Sequence, residues 1–148
     1  MSKTDLAYIA GFFDGEGCIS IKRIRNRNRP FNQYQLEVTV GSTDEWVCER
    51  FKFVFGGNVR KTKSRNPNWK PFWVWRASSK TAGVFLKVII PYLHLKRDRA
   101  EIALTFQRAR SIKQDRRSLT SEEMALEEAQ RILMQSLNKR GVKEQNYV

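Results

Sequence analysis

The chain has 148 residues, 41% of them hydrophobic, with 28 Lys and Arg against 15 Asp and Glu, and a pI near 10.2. That leaves room for one domain with a core but not for two. A folded protein this basic meets a polyanion; nucleic acid is the expected one, because acidic membrane, the alternative, has no long apolar run or basic amphipathic anchor to support it. Cys18, Cys48 and His94 fall at no zinc-ligand spacing and read as structural or incidental. Free thiols suggest a reducing compartment. No signal or transit peptide fits, since a patterned helix begins within the first few residues.

Taken in chain order, residues 4–14 read as a helix, with Thr4 as N-cap, Asp5 in the first turn, and Leu6, Ile9, Ala10 and Phe13 at helical spacing. From Cys18 the period becomes two: Ile19 and Ile21 point one way, and Cys18, Ser20, Lys22 and Ile24 the other. A basic turn, RIRNRNRP, follows. In QYQLEVTV, Tyr34, Leu36, Val38 and Val40 make an inner face, and Gln33, Gln35, Glu37 and Thr39 an outer one. The pair predicts an antiparallel hairpin with one wet face. Ser42 and Glu45 match a capping box for a second helix that turns Trp46, Val47, Phe51, Val54 and Phe55 inward and ends at Gly56-Gly57. The unit then recurs. Asn58–Lys63 and Pro71–Ala77 read as strands around a polar turn, and SSKTAGVFLKVIIPYL as a third helix. Two further helices are predicted, Arg97–Lys113 and about Ser121–Leu137, the latter capped by Thr120 or Ser121. The expected organisation is one α+β domain over 1–148: an αββαββα core at 1–95, C-terminal helices at 96–137 and a loose tail at 138–148.

The stretch YIAGFFDGEG, Tyr8–Gly17, raises a question. It places Asp14 and Glu16 where a helix ends and its dipole is negative, so that acids are unfavourable. On the same helix Ala7, Gly11 and Gly15 are spaced four apart. A stripe with nothing larger than a methyl lets two helix backbones approach closely. The other reading is a glycine-weakened helix packed on its own sheet.

Ile9 to Gly17, IAGFFDGEG, resembles the signature of the LAGLIDADG homing endonucleases, and the order of elements over roughly 4–95 is similar to theirs. The resemblance implies their fold, with a four-stranded antiparallel saddle along DNA, and a site-specific double-strand DNA endonuclease. The motif occurs once, which in this family implies a homodimer joined through the Ala7/Gly11/Gly15 stripes and a long pseudo-palindromic target. Two Glu16 carboxylates would then converge at the dimer axis with helix-end carbonyls such as that of Gly15. Divalent cations relieve that repulsion; the resemblance implies Mg²⁺, with Mn²⁺ as a substitute and Ca²⁺ supporting binding without cleavage. Asp14 reads as mainly structural. Lys96, after the third helix, resembles a basic residue that some members place beside the scissile phosphate; a solvated surface lysine is the alternative. The sequence departs from the homodimeric pattern at the end of the second strand, where Val40-Gly41-Ser42 replaces a polar, water-positioning side chain. An intracellular setting is expected, in a prokaryotic cytoplasm or an organelle that encodes the protein, the gene being of the intron-encoded kind.

For the DNA surface, Ser20, Lys22, Ile24, Gln33, Gln35, Glu37 and Thr39 on the first hairpin and Arg60, Thr62 and Ser64 on the third strand are the expected readers, since Gln suits adenine, Arg guanine and Glu cytosine. On the fourth strand either Trp73 and Trp75 or Phe72, Val74 and Arg76 face DNA; the resemblance favours Trp73 and Trp75. Arg23, Arg25, Arg27, Arg29, Lys61, Lys63 and Arg65 suit phosphate contacts. Two rivals share the scaffold. An RNA-splicing maturase acting on a host intron RNA would use the second basic zone, Arg97, Arg99, Arg108, Arg110, Arg116 and Arg117. A binding-only regulator would have little use for converging acids near phosphates.

Overall fold

The computed structural model describes residues 1–25, 27–28, 33–112 and 119–140. Helix α1 (Lys3–Glu16) leads into strands β1 (Gly17–Ile24) and β2 (Gln33–Ser42), then α2 (Glu45–Phe55), β3 (Asn58–Thr62), β4 (Phe72–Ser78) and α3 (Ser79–Ile89). A single 3-10 turn, Ile90–Tyr92, precedes α4 (Arg97–Ile112) and α5 (Ser121–Asn138). The strands form one antiparallel sheet in the order β1-β2-β4-β3. This is the α+β, αββαββα arrangement expected from the sequence. Among the described residues no helix is long and apolar enough to cross a membrane.

The period-two reading of β1 and β2 holds. Ile19, Ile21, Tyr34, Leu36, Val38 and Val40 are all buried on one face of the sheet, and helices α1 to α4 pack there. Phe85 of α3 sits at the centre, with its ring centroid 4.9 Å from Phe13, 4.8 Å from Phe55 and 5.0 Å from Trp75. Edge-on aromatic pairs of this kind each add roughly 0.5–1.5 kcal/mol beyond the area they bury.

Three local expectations are corrected. The N-cap of α1 is Ser2, not Thr4: Ser2 Oγ accepts the Asp5 N–H (3.1 Å), and the Asp5 carboxylate accepts the Ser2 N–H (3.0 Å). That reciprocal box needs an acid three residues on, which Ser2 has and Thr4, facing Ala7, lacks. Asp44 caps α2 by accepting the Trp46 N–H (3.0 Å), because Ser42 is still in β2 opposite Trp73. Trp46 does not point inward. It lies about 140° around the helix from Phe51, exposed, with the Arg50 guanidinium 5.6 Å above its ring. The buried stripe is Val47, Cys48 and Phe51.

The fourth strand carries the largest correction. Trp75 is fully buried among Phe51 and Phe85, and Trp73 packs at the margin of the same core with Lys61 Nζ 5.4 Å from its ring. Neither faces the outer surface. The reason is Gly56-Gly57. Both have positive φ, 78° and 86°, and a Cβ on Gly57 would stand 2.5 Å from the Arg76 carbonyl oxygen and 3.0 Å from Trp75 Nε1. The bare backbone leaves room for the indole, whose N–H donates to the Gly56 carbonyl at 2.8 Å. A core tryptophan with its one donor satisfied is stable there.

Helix α5 closes the β1 edge. Tyr34 Oη donates to Glu128 at 2.5 Å, Arg131 grips the same carboxylate at 2.5–3.2 Å, and Asn138 Nδ2 donates to the Ile19 carbonyl at 2.7 Å. Asn138, assigned to the loose tail from sequence, is thus the bonded last residue of α5. Residues 141–148 of that tail, Lys113 of the predicted fourth helix, and Arg29, Arg116 and Arg117 lie outside the described residues.

Candidate active site and nucleic-acid interface

The end of α1 is built by contacts across most of the chain. The Asp14 carboxylate is buried and accepts the backbone N–H groups of His94 (2.7 Å) and Lys96 (3.0 Å). The Lys96 ammonium donates to the Asp14 carbonyl, one of the orphan acceptors at the helix end. Asp14 is therefore structural, as the sequence suggested. It clamps the segment after α3 onto α1 and delivers Lys96 to the negative end of the helix. Burial pushes the Lys96 ammonium pKa down; Arg99 nearby adds to that, and Asp14 opposes it. The surface-lysine alternative does not describe it, since Lys96 is buried.

Glu16 points the other way, exposed. It shares a polar hollow with Gly15, Gly17, Cys18, Lys96, Arg99, Asn138, Lys139 and Arg140. Among the described residues no salt bridge takes up its carboxylate, and no three His, Cys, Asp or Glu side chains gather where an ion could sit. One chain thus brings one exposed carboxylate and helix-end carbonyls to this hollow, fewer hard oxygen donors than a divalent cation takes. Beside it runs the small-residue stripe. Ala7, Gly11 and Gly15 are exposed, and a Cβ on either glycine would meet nothing within 4 Å. The alternative of a glycine helix packed on its own sheet fails, because the stripe faces away from the sheet.

The outer face of the sheet follows from the register. Cys18, Ser20, Lys22 and Ile24 align with Thr39, Glu37, Gln35 and Gln33; Arg76 lies opposite Thr39 and Asn58, Val74 opposite Gly41 and Arg60, and Phe72 opposite Thr62. Residues paired across strands share a face, so the fourth strand presents Phe72, Val74 and Arg76. Lys22, Ile24, Arg25, Arg27 and Arg60 are exposed. Gln35 Nε2 donates to Ser79 Oγ (3.2 Å), and Thr62 Oγ1 to the Phe72 carbonyl (2.9 Å). Glu37 is buried between Lys22 and Arg76. Ser64 lies beyond the end of β3, in a turn where its hydroxyl bonds Asn66; Arg65 follows it there, exposed.

Sequence reasoning missed several members of these surfaces. Trp69 stands 67% exposed in the β3–β4 turn between Lys63, Arg65 and Lys70; an aromatic in a basic, Asn- and Pro-rich turn was a usable signal. Lys139 and Arg140 carried none, because only the docking of α5 brings them to Glu16; Arg99, at the start of α4, reads from the sequence only as part of the second basic zone. The second basic zone is partly committed. Arg97 donates to the Ile90 and Pro91 carbonyls, Arg99 to the Leu137 carbonyl, and Arg110 pairs with Glu127 at 3.0 Å.

The profile of a known family, described as LAGLIDADG endonuclease, matches residues 9–112, from the middle of α1 to the end of α4. The chain belongs to this family. Among curated proteins, the LAGLIDADG chain is similar to DNA endonuclease I-CvuI of Chlorella vulgaris, at 32% identity over 103 residues. That match spans 66% of this chain and 60% of the relative's length. The fold matches homing endonuclease I-CvuI, solved with a DNA target in the presence of Mg, with a TM-score of 0.75 at 22% identity over 95% of this chain and 85% of that one. It also matches the archaeal intron-encoded homing endonuclease I-Vdi141I complexed with DNA, with a TM-score of 0.75 at 16% identity over 95% and 88% of the two chains. For the LAGLIDADG homing endonuclease I-SmaMI bound to cleaved DNA the TM-score is 0.65 at 18% identity, covering 94% of this chain but 45% of that one.

Proposed function

We propose that this protein is a homodimeric, divalent-metal-dependent endonuclease that cuts a long pseudo-palindromic DNA site. The observation that carries the reading is Glu16, an exposed carboxylate at the end of a helix whose open glycine stripe adjoins it, in a hollow that also holds Lys96, Arg99, Lys139 and Arg140. Packing two stripes together brings two such hollows to one axis. The DNA complexes of the solved relatives support binding of DNA with a divalent ion present, one with Ca and one with Mg in which the DNA is not cleaved.

Each chain would contribute Glu16 and the Gly15 carbonyl as oxygen ligands, which suits Mg²⁺ and, by the same chemistry, Mn²⁺. A bound divalent ion supplies an acidified water and offsets charge on the phosphate and the leaving oxygen. Lys96, held by the Asp14 carbonyl, places its positive charge next to that phosphate. Arg99, Lys139 and Arg140 draw the phosphodiester into the hollow. The sheet's outer face reads the major groove, and Arg25 and Arg27 at the β1–β2 turn hold phosphates.

Glu16→Gln tests this. It keeps the shape and removes only the charge that would hold the metal, and Glu16 is exposed, so the dimer should fold and bind DNA in Ca²⁺ about as well as wild type. Cutting in Mg²⁺ should fall by about 10²–10³-fold, the scale on which electrostatic catalytic groups act. A variant that binds and still cuts near the wild-type rate takes Glu16 out of the chemistry. Metal-dependent cutting of duplex DNA by wild type also separates this reading from a binding-only regulator.

A further inference from the structure

Glu37 was expected to read cytosine, but its geometry assigns it another task. Lys22 Nζ lies 2.6 Å from Glu37 Oε1, and Arg76 Nε lies 3.5 Å from Oε2. The Glu37 side chain is 8% exposed, whereas Lys22 and Arg76 are 48% and 52% exposed. Each carboxylate oxygen therefore faces one cation, on the face that β1, β2 and β4 share. Accepting a cytosine amino group would require displacing one of two cations from an almost buried anion, which leaves charge uncompensated.

What remains free are the donors. Arg76 engages Glu37 through Nε, so both terminal amino groups of its fork stay available. That fork matches guanine O6 and N7. Lys22 commits one of its three ammonium donors and keeps the others, which suit the same two acceptors. Sharing one carboxylate, at 2.6 and 3.5 Å from its two oxygens, keeps the two cationic ends side by side over the groove.

We propose that Glu37 is a positioning residue, and that Lys22 and Arg76, aligned by it, read guanines at two neighbouring base pairs in each half-site. The carboxylate also keeps these two cations from swinging onto phosphates, where they would bind without reading. This rests on the endonuclease reading above and adds the composition of part of the target.

The test is a duplex library randomised across the site, cut by the protein in Mg²⁺ and sequenced, with binding profiles taken in Ca²⁺. Wild type should show adjacent G·C pairs in each half-site. Arg76→Ala should relax one of them and Lys22→Ala its neighbour, each losing about tenfold or more in preference, as expected for a base-edge contact. Glu37→Gln should relax both positions together, leave the rest of the profile in place, and steepen the salt dependence of binding as the freed cations reach phosphates. A merely structural role would lower activity on all sites alike. Lys22 and Arg76 are half-exposed, so their alanine variants decide the matter even if Glu37→Gln does not fold. The inference is overturned if the two alanine variants relax separated positions or none, or if Glu37→Gln only loses a cytosine preference at one position. A wild type that cuts no member of the library overturns the endonuclease reading itself, and this inference with it.

Discussion

Three carboxylates, Asp14, Glu16 and Glu128, do different jobs in this chain, and their surroundings set them apart. Asp14 is buried and spends its oxygens on backbone N–H groups, Glu16 is exposed and takes no salt bridge among the described residues, and Glu128 is anchored by Arg131 and Tyr34. The hydrogen bonds from Arg131, and then that from Tyr34, lower the Glu128 pKa from 4.5 to about 2. A depressed carboxylate pKa stabilises the fold above the unfolded value and loses that contribution as pH falls toward the folded one. Docking of α5 should therefore be intact above about pH 4.5 and weaken progressively between there and pH 2. Amide exchange in α5 at pH 6 and pH 3 would show it, with Glu128→Gln as the control that flattens the difference. Equal protection at both pH values in wild type would mean that this carboxylate does not hold the helix.

At the scale of the elements, the Gly56-Gly57 corner sets which face of β4 is core. Gly57→Ala forces a left-handed backbone on a residue with a Cβ and drives that Cβ against the Arg76 carbonyl. The cost should be roughly 1–3 kcal/mol, read as a lower urea midpoint, and the Trp75 emission should shift red as the indole loses its seat. An unchanged midpoint would show that the corner relaxes freely. The same corner shows where sequence reading stopped. The inner and outer faces of β1 and β2 were legible because polar and apolar residues alternate there. Along Phe72-Trp73-Val74-Trp75 every residue is apolar, so alternation carries no sign and the tertiary space decides. Caps were ambiguous where several cap-forming residues adjoin, as at Ser42-Thr43-Asp44. Glu16 was legible from its motif. The burial of Lys96 was not, because its partner Asp14 lies 82 residues away in the chain and lysine is by habit a surface residue.

The whole molecule has an outer sheet face rich in donors, a hollow rich in cations at one helix end, and a bare stripe beside it. A +13 charge on 148 residues suits rapid, salt-sensitive capture of DNA. If the stripe is the dimer contact, Gly11→Leu should leave the protomer folded, since nothing stands within 4 Å of the new Cβ and leucine favours helix by roughly 0.5–1 kcal/mol over glycine. It should nonetheless run as a monomer in light scattering and lose double-strand cutting, because the helices are wedged apart. A Gly11→Leu protein that stays dimeric and cuts normally would place the contact elsewhere.

The Lys22–Glu37–Arg76 bridge has a bearing on retargeting. Three strands share one anion, so the three positions form a single coupled unit of recognition. Substitutions among contacting charged residues interact by about 0.5–3 kcal/mol, enough to reverse the ranking of variants. Scanning these positions one at a time would then mislead, since the best partner for a new residue at 76 depends on what stands at 22 and 37. A search for new targets has to vary all three in the same library, and the solutions it returns will come as triplets.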